Sequence, residues 1–224
     1  MAERDLEWFD RRPPDDRWRA AQAALSSDPV FEALIRKVGP CTLRRRRDYF
    51  QVLVLSLFNQ QLATKTAATL FNRFRDRFPD RRITPERVKN ALSGGMSVDT
   101  LKWCGLSRQK QVYLRDLAEH FCDGRIPVRR FSKMEDETII EHLTQVKGIG
   151  RWTAEMFLLF ALNRPDVWPT LDLGLQVGAK QVLGLSERPR PSELAMIGER
   201  FRPHRTVATW YLWRWKAADI NGDK

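Results

Sequence analysis

Cysteine is scarce and poorly placed for cross-linking. The three present, Cys41, Cys104 and Cys122, are odd in number, scattered and without CxxC spacing. That excludes a disulfide framework as well as a zinc ribbon and a four-cysteine iron–sulfur cluster, and it fits a reducing compartment. No apolar run approaches the roughly 20 residues that a bilayer span needs. The start, MAERDLEWFDRRPPDD, is charged where a signal peptide is apolar. The expectation is a soluble intracellular protein. Sustained period-two alternation between hairpin turns is also missing, as are repeats and low-complexity segments. An all-α chain is left.

What is present begins with charge. Lys and Arg number 39 against 28 Asp and Glu, a net +11, which favours a polyanionic partner, either nucleic acid or an anionic membrane surface. With 42% hydrophobic residues over 224 positions, the chain can bury a core as one large domain or two small lobes.

After a loose arm over residues 1–14, Trp18, Ala21 and Leu25, then Phe31, Leu34 and Ile35, recur at helical spacing. Asp28-Pro29 supplies a cap and a first-turn proline. Arg44 to Arg47 form a basic run, readable as a solvated helix face or as phosphate contact. Phe50, Leu53, Val54, Leu57 and Phe58 fit one amphipathic helix, and Ala63, Ala67, Leu70, Phe71, Phe74 and Phe78 a second. The amides at their junction, Asn59-Gln60-Gln61 before Leu62, either cap helix ends or meet bases, with the leucine as a wedge. A turn follows at Ser93-Gly94-Gly95, and Ser107 caps a helix bearing Tyr113, Leu114, Leu117, Ala118 and Phe121. Ile139, Ile140, Leu143 and Val146 build the next. The last two helices are expected over 192–200 and 203–218, the latter with Trp210, Tyr211, Trp213 and Trp215.

The segment from Gln145 to Gln176 holds the chemistry. Gly148-Ile149-Gly150 makes a tight turn whose backbone can approach a ligand closely, since glycine lacks a Cβ. It opens a helix, so unpaired N–H groups and the positive dipole end favour an anion such as phosphate. The run from Trp152 to Leu162 is apolar nearly all round and should be buried on most sides. Pro165 and Pro169 force an extended connection. Asp172 then stands between Leu171 and Leu173, with Trp168 upstream: by spacing, an N-cap or a reactive carboxylate.

GIGRWTA with Asp172 downstream resembles the hairpin, Gly/Pro-rich loop and catalytic aspartate of helix-hairpin-helix DNA glycosylases. Phe50 to Ala68, GLSRQK from Gly105, DLGLQ from Asp172 and FRPHRTVATWYLW from Phe201 are similar to the compact, all-helical branch of the 3-methyladenine DNA glycosylase II family. The resemblance covers most of the chain from Asp28. It implies one domain over 1–224 with two helical lobes, about 43–145 and 15–42 plus 146–224, and an active-site cleft between them. The implied activity is monofunctional hydrolysis of the N-glycosidic bond of alkylated purines, of the 3-methyladenine and 7-methylguanine type, by a monomer acting on double-stranded DNA, with no membrane partner, in the cytoplasm with the nucleoid or in the nucleus.

The resemblance also assigns residues. Asp172 stabilises charge on the sugar, as a carboxylate shielded by apolar groups does strongly. Gly148 and Gly150, with Ile149 and Lys147, hold DNA phosphate. The carbonyls of Val146 and Ile149 suit a monovalent cation, Na+ or K+, with no cofactor required. Trp152 stands where bifunctional relatives carry lysine, and an indole forms no Schiff base, so no lyase activity is expected. Trp152 and Trp213 line the base pocket with Met156 and Leu173, electron-rich rings suiting a cationic methylated purine. Gln61 or Leu62 fills the gap left by a flipped base, and Gln60 joins them in binding DNA. Departures are Lys147 where the hairpin usually has proline, Leu173 and Met156 in place of aromatic residues, and no room for an N-terminal β-domain. Two other readings stay open: a non-catalytic damage-binding module, and a glycosylase for another damaged base.

Overall fold

The computed structural model describes residues 16–218, so the arm expected over 1–14 lies outside the described residues. In chain order the α-helices are α1 (Arg19–Leu25), α2 (Pro29–Val38), α3 (Tyr49–Asn59), α4 (Thr64–Arg75), α5 (Pro85–Asn90), α6 (Val98–Trp103), α7 (Arg108–Cys122), α8 (Asp136–Thr144), α9 (Arg151–Phe157), α10 (Leu173–Val182), α11 (Pro191–Glu199) and α12 (Arg205–Trp213). Among the described residues there is no strand, as the missing alternation predicted. Two short helices, α5 and α6, were not read from periodicity. Six residues are too few to show it, although Thr84 and Ser97 cap them through bonds to Arg87 N–H and Thr100 N–H. The expected final helix ends early, at Trp213, and a 3-10 turn over Trp215–Ala218 completes it.

The described chain forms two compact units, one over residues 46–162 and one over 16–45 with 163–218. Sequence placed the boundary near 145, which puts the hairpin and α9 in the wrong unit. The correction has a packing cause. Residues 153–161 are all buried, α9 packs against α3 and α8, and Phe157 meets the rings of Tyr49 and Phe131 edge-on. The run turns from α-helix to a π turn at Leu158–Leu162, where the unit ends.

In the first unit Asp48 caps α3 by accepting from Gln51 N–H at 3.0 Å. Residues 50 and 52–58 of α3 are buried, and Phe58 packs on Phe71 and Phe74 of α4. The basic run does not form a helix face: residues 41–48 are irregular, and Arg46 N–H donates to Phe160 O at 3.0 Å. Arg46, Arg47 and Arg75 line a cavity of about 420 Å³ floored by Val52, Leu55 and Phe71.

The second unit closes around α12. Tyr211 Oη donates to Gly39 O at 2.9 Å, and Trp18 Nε1 to Leu43 O at 2.8 Å. α10 lies directly on α12 because Gly178 has no side chain; a Cβ there would collide with the Leu212 carbonyl oxygen. This contact brings the end of α12 to the start of α10. Asp28 caps α2 as expected, accepting from Val30 N–H at 2.9 Å. Cys41 is buried here, and desolvation pushes its thiol up to about 12.

Candidate active site

The loop between Asn163 and Asp172 is not the extended connection expected from its prolines, since it turns at residues 165–166 and again at 170–171, where Asp172 N–H donates to Pro169 O at 2.9 Å, and α12 holds it in place. Arg205 grips Asp166 with two guanidinium bonds, Nε to Oδ1 at 2.7 Å and Nη2 to Oδ2 at 2.9 Å. Thr206 Oγ1 accepts from Val167 N–H at 3.0 Å and donates to Arg164 O at 2.5 Å. Trp168 is buried and donates to Leu194 O at 2.8 Å, so it belongs to the core. Gln176 Nε2 reaches back to Thr170 O at 2.8 Å. Every second or third residue of the loop is fixed, and Asp172 comes at its end.

Asp172 takes the N-cap role that its spacing allowed. Its Oδ1 accepts from Leu175 N–H at 2.6 Å, which caps α10. The same oxygen accepts from Trp213 Nε1 at 2.7 Å, across a separation of 41 residues. The carboxylate is 9% exposed, while Leu171 and Leu173 on either side are 55% and 56% exposed. A nearly buried acid between two large exposed apolar side chains is uncommon on a surface that binds nothing. Asp172, Leu173 and Trp213 thus come together in one unit. Gly174 borders both functional groups.

The hairpin lies in the other unit. Val146 and Ile149 are buried, while Lys147 and Gly150 are exposed. Ile149 N–H closes the turn on Val146 O at 3.0 Å. Gly148 has φ +82°, and a Cβ there would overlap the Tyr113 ring. Gly150, at φ −93°, needs glycine for neither reason, since nothing lies within 4 Å of its would-be Cβ. Among the described residues the N–H groups of Gly148 and Gly150 have no hydrogen-bond acceptor within the chain. Two N–H groups, on half-exposed Gly148 and exposed Gly150 just before α9, are free to donate to an anion.

Gln60, Gln61 and Leu62 are separated in role. Gln60 Nε2 donates to Gly148 O at 2.7 Å, which ties the end of α3 to the hairpin. Gln61 is exposed with φ +60°, a left-handed conformation rare outside glycine, and Leu62 is half-buried. Asn59 Nδ2 caps Leu55 O at 2.9 Å. Lys110, inside the GLSRQK stretch, donates to Phe58 O at 2.9 Å, and burial lowers its pKa. Trp152, half-buried, and Met156, buried, lie one turn apart on α9 of this unit.

Sequence reasoning missed three residues that hold these groups. Asp166 and Arg205 form a clamp across 39 residues, and nothing in either local pattern announces it. Asp116 accepts from Lys147 N–H at 2.8 Å. Its only signal was a carboxylate beside the apolar face of α7, a common surface arrangement.

Residues 54–203 match the HhH-GPD superfamily base excision DNA repair protein family. The chain is 32% identical over 210 residues to the alkylbase DNA glycosidase-like protein mag2 of Schizosaccharomyces pombe, covering 89% of this chain and 94% of that one. It is 35% identical over 196 residues to DNA-3-methyladenine glycosylase 1 of the same organism, covering 84% and 82%. The solved S. pombe 3-methyladenine DNA glycosylase Mag1 in complex with abasic DNA superposes with a TM-score of 0.77 at 34% identity, covering 87% of this chain and 95% of that one.

Proposed function

Since the chain belongs to the HhH-GPD superfamily of base excision DNA repair proteins, we propose that it is a monofunctional DNA glycosylase for alkylated purines, of the 3-methyladenine and 7-methylguanine type. The observation that carries this is Asp172, a carboxylate 9% exposed with two N–H donors fixing one of its oxygens. Breaking the N-glycosidic bond leaves positive charge on the sugar. A carboxylate already oriented, in a site poor in water, stabilises that charge without reorganising. The cationic base departs neutral with the bonding electrons, and water then adds to the sugar and gives up a proton to solvent, leaving an abasic site. Trp152 offers no amine at the start of α9, so that position forms no Schiff base.

The hairpin supplies sequence-independent anchorage through the N–H groups of Gly148 and Gly150 on phosphate, with the +11 net charge behind it. A monovalent cation on the carbonyls of Val146 and Ile149 fits the same turn. Val146 O is used once, by Ile149 N–H, and a carbonyl has a second lone pair. Bound there, the ion would add positive charge beside the phosphate. Trp213 and Leu173 would meet the extruded base next to Asp172, and Gln61 or Leu62 would take its place in the stack. Double-stranded DNA carrying alkylated bases is the partner, and this reading places the protein with DNA inside the cell. Among the described residues no helix is long and apolar enough to cross a membrane.

The test is base release from methylated duplex DNA, with a borohydride trap alongside. The expected result is free 3-methyladenine or 7-methylguanine, abasic sites and no covalent adduct. Tight, salt-sensitive binding without release of any base from a panel of single-lesion duplexes would instead make the protein a damage-binding module.

A further inference from the structure

Val146-Lys147-Gly148-Ile149 is closed by the bond from Ile149 N–H to Val146 O, with Gly148 at φ +82° and Lys147 outside the positive-φ set. That is a type II β-turn, whose second position favours proline because the ring pre-sets φ. Here the second position is Lys147, which lacks that restraint and has an N–H that proline would not have. Asp116 on α7 takes this N–H, accepting it on Oδ2 at 2.8 Å. We propose that Asp116 is a positioning residue for the DNA-anchoring turn, supplying through a charge-assisted hydrogen bond the restraint that proline would otherwise give. The inference rests on the reading of the hairpin as the DNA anchor.

Asp116 is itself held. Its side chain is 16% exposed. One turn on, buried His120 places Nδ1 2.8 Å from the Asp116 carbonyl oxygen and 3.5 Å from Oδ2. Arg125 Nη1 donates to His120 Nε2 at 3.0 Å, which makes Nε2 the acceptor and leaves the ring proton on Nδ1, facing Asp116. The turn is also gripped at its next residue: Gly148 lies against the Tyr113 ring, also on α7, and its carbonyl accepts from Gln60. Lys147 and Gly148 are therefore fixed from outside the hairpin, and the unpaired amides of Gly148 and Gly150 are presented in one geometry. Such preorganisation acts on DNA affinity rather than on the bond-breaking step.

The experiment uses the full chain and reads amide hydrogen exchange at Lys147 and Ile149, affinity for an abasic-site duplex, and single-turnover base release at saturating enzyme. Asp116→Ala should raise exchange at Lys147 about tenfold or more, the scale of a hydrogen bond to a charged group. It should weaken duplex affinity several-fold, about in proportion to the lost restraint, and leave release at saturation unchanged. Asp116→Asn, which keeps an acceptor oxygen, should restore most of both. In a Lys147→Pro background the N–H is gone, so Asp116→Ala should add nothing at Ile149 or to affinity. Unchanged exchange in Asp116→Ala, or an equal further loss in the proline background, overturns the proposal. Raised exchange with unchanged affinity leaves Asp116 holding the turn and overturns the reading of the turn as the DNA anchor.

Discussion

The hairpin and the Asp172 corner divide labour between backbone and side chain in opposite ways. At the hairpin the groups that the proposed function assigns to a ligand are main-chain amides, and side chains do the holding: Asp116, Gln60 and Tyr113 surround Lys147 and Gly148. At Asp172 the group offered is a side chain, and a main-chain amide, Leu175 N–H, helps to hold it together with the Trp213 indole. The first corner therefore depends on shape, on where a Cβ is absent. The second depends on charge.

The largest effect should separate charge from shape at Asp172. Asparagine caps a helix about as well as aspartate, and its oxygen can still accept from Leu175 and Trp213. Asp172→Asn should keep its melting temperature and duplex affinity while single-turnover base release falls by about 10²- to 10³-fold, the scale for one preorganised electrostatic group. Asp172→Ala should lose in addition about 1 kcal/mol of stability with the cap. Wild-type release by the asparagine variant would mean that charge is not what this corner supplies.

At the hairpin the two glycines should come apart. Gly148→Ala must hold an L-residue at φ +82° and displace the Tyr113 ring, so a loss of at least about 1–2 kcal/mol is expected in denaturant unfolding. Gly150→Ala meets nothing within 4 Å at φ −93°, so its stability should stay within about 0.5 kcal/mol. Its methyl group would instead crowd a phosphate at the start of α9, and duplex affinity should drop. Equal destabilisation by both substitutions would show that the second glycine is structural.

How much of this was legible in the sequence follows the same division. Long helices announced themselves through caps and period: Asp28 and Ser107 stand where expected, and α3 forms where its period placed it, although it is buried well beyond the expected stripe. The turn at Gly148 and the cap at Asp172 were visible because local chemistry marks them. Couplings across the chain were not. The bond between Asp172 and Trp213, the clamp of Arg205 on Asp166, and the grip of Asp116 on Lys147 join residues 41, 39 and 31 positions apart. The first is set by the packing of α10 on α12, the second by α12 against the loop before α10, and the third by α7 against the hairpin, none of which a local window contains. The unit boundary was misplaced for the same reason. The hairpin was read as the start of something new, whereas Phe157, beyond it, is already committed to Tyr49 and Phe131.

Gly174 tests whether shape matters at the charge-dependent corner as well. A Cβ there would lie 3.1 Å from Asp172 Oδ1 and 3.2 Å from Trp213 Cδ1, so the carboxylate or the indole must yield by a few tenths of an ångström. Replacing glycine inside a helix contributes up to about 1 kcal/mol in the other direction. Gly174→Ala is therefore expected to leave the melting temperature nearly unchanged and to slow base release a few-fold. Unaltered release would show that the position of Oδ1 tolerates more drift than a preorganised charge should.

The smallest effect concerns the ion pair that braces the two helices of the hairpin. Arg151 at the start of α9 reaches Glu137 on α8 with Nη1 to Oε2 at 2.8 Å and Nη2 to Oε1 at 2.5 Å. That bond holds the Glu137 carboxyl below its ordinary 4.5. Because the folded value lies below the unfolded one, the pair's contribution is present above about pH 4.5 and is lost as pH falls through the folded value. The side chains are 65% and 49% exposed, so water and salt screen them, and the contribution should be a few tenths of a kcal/mol. Glu137→Gln should flatten the acid limb of the stability curve by that amount, measured by urea midpoints between pH 3 and pH 6, roughly the span over which a carboxylate titrates. The difference should fade in about 1 M salt, where the Debye length is short. If the turn is held by Asp116 and by the fit of Gly148 against Tyr113, the same variant should leave the exchange rate at Lys147 unchanged at neutral pH. A rise there would mean that the exposed brace, and not the buried contacts, sets the geometry of the anchor.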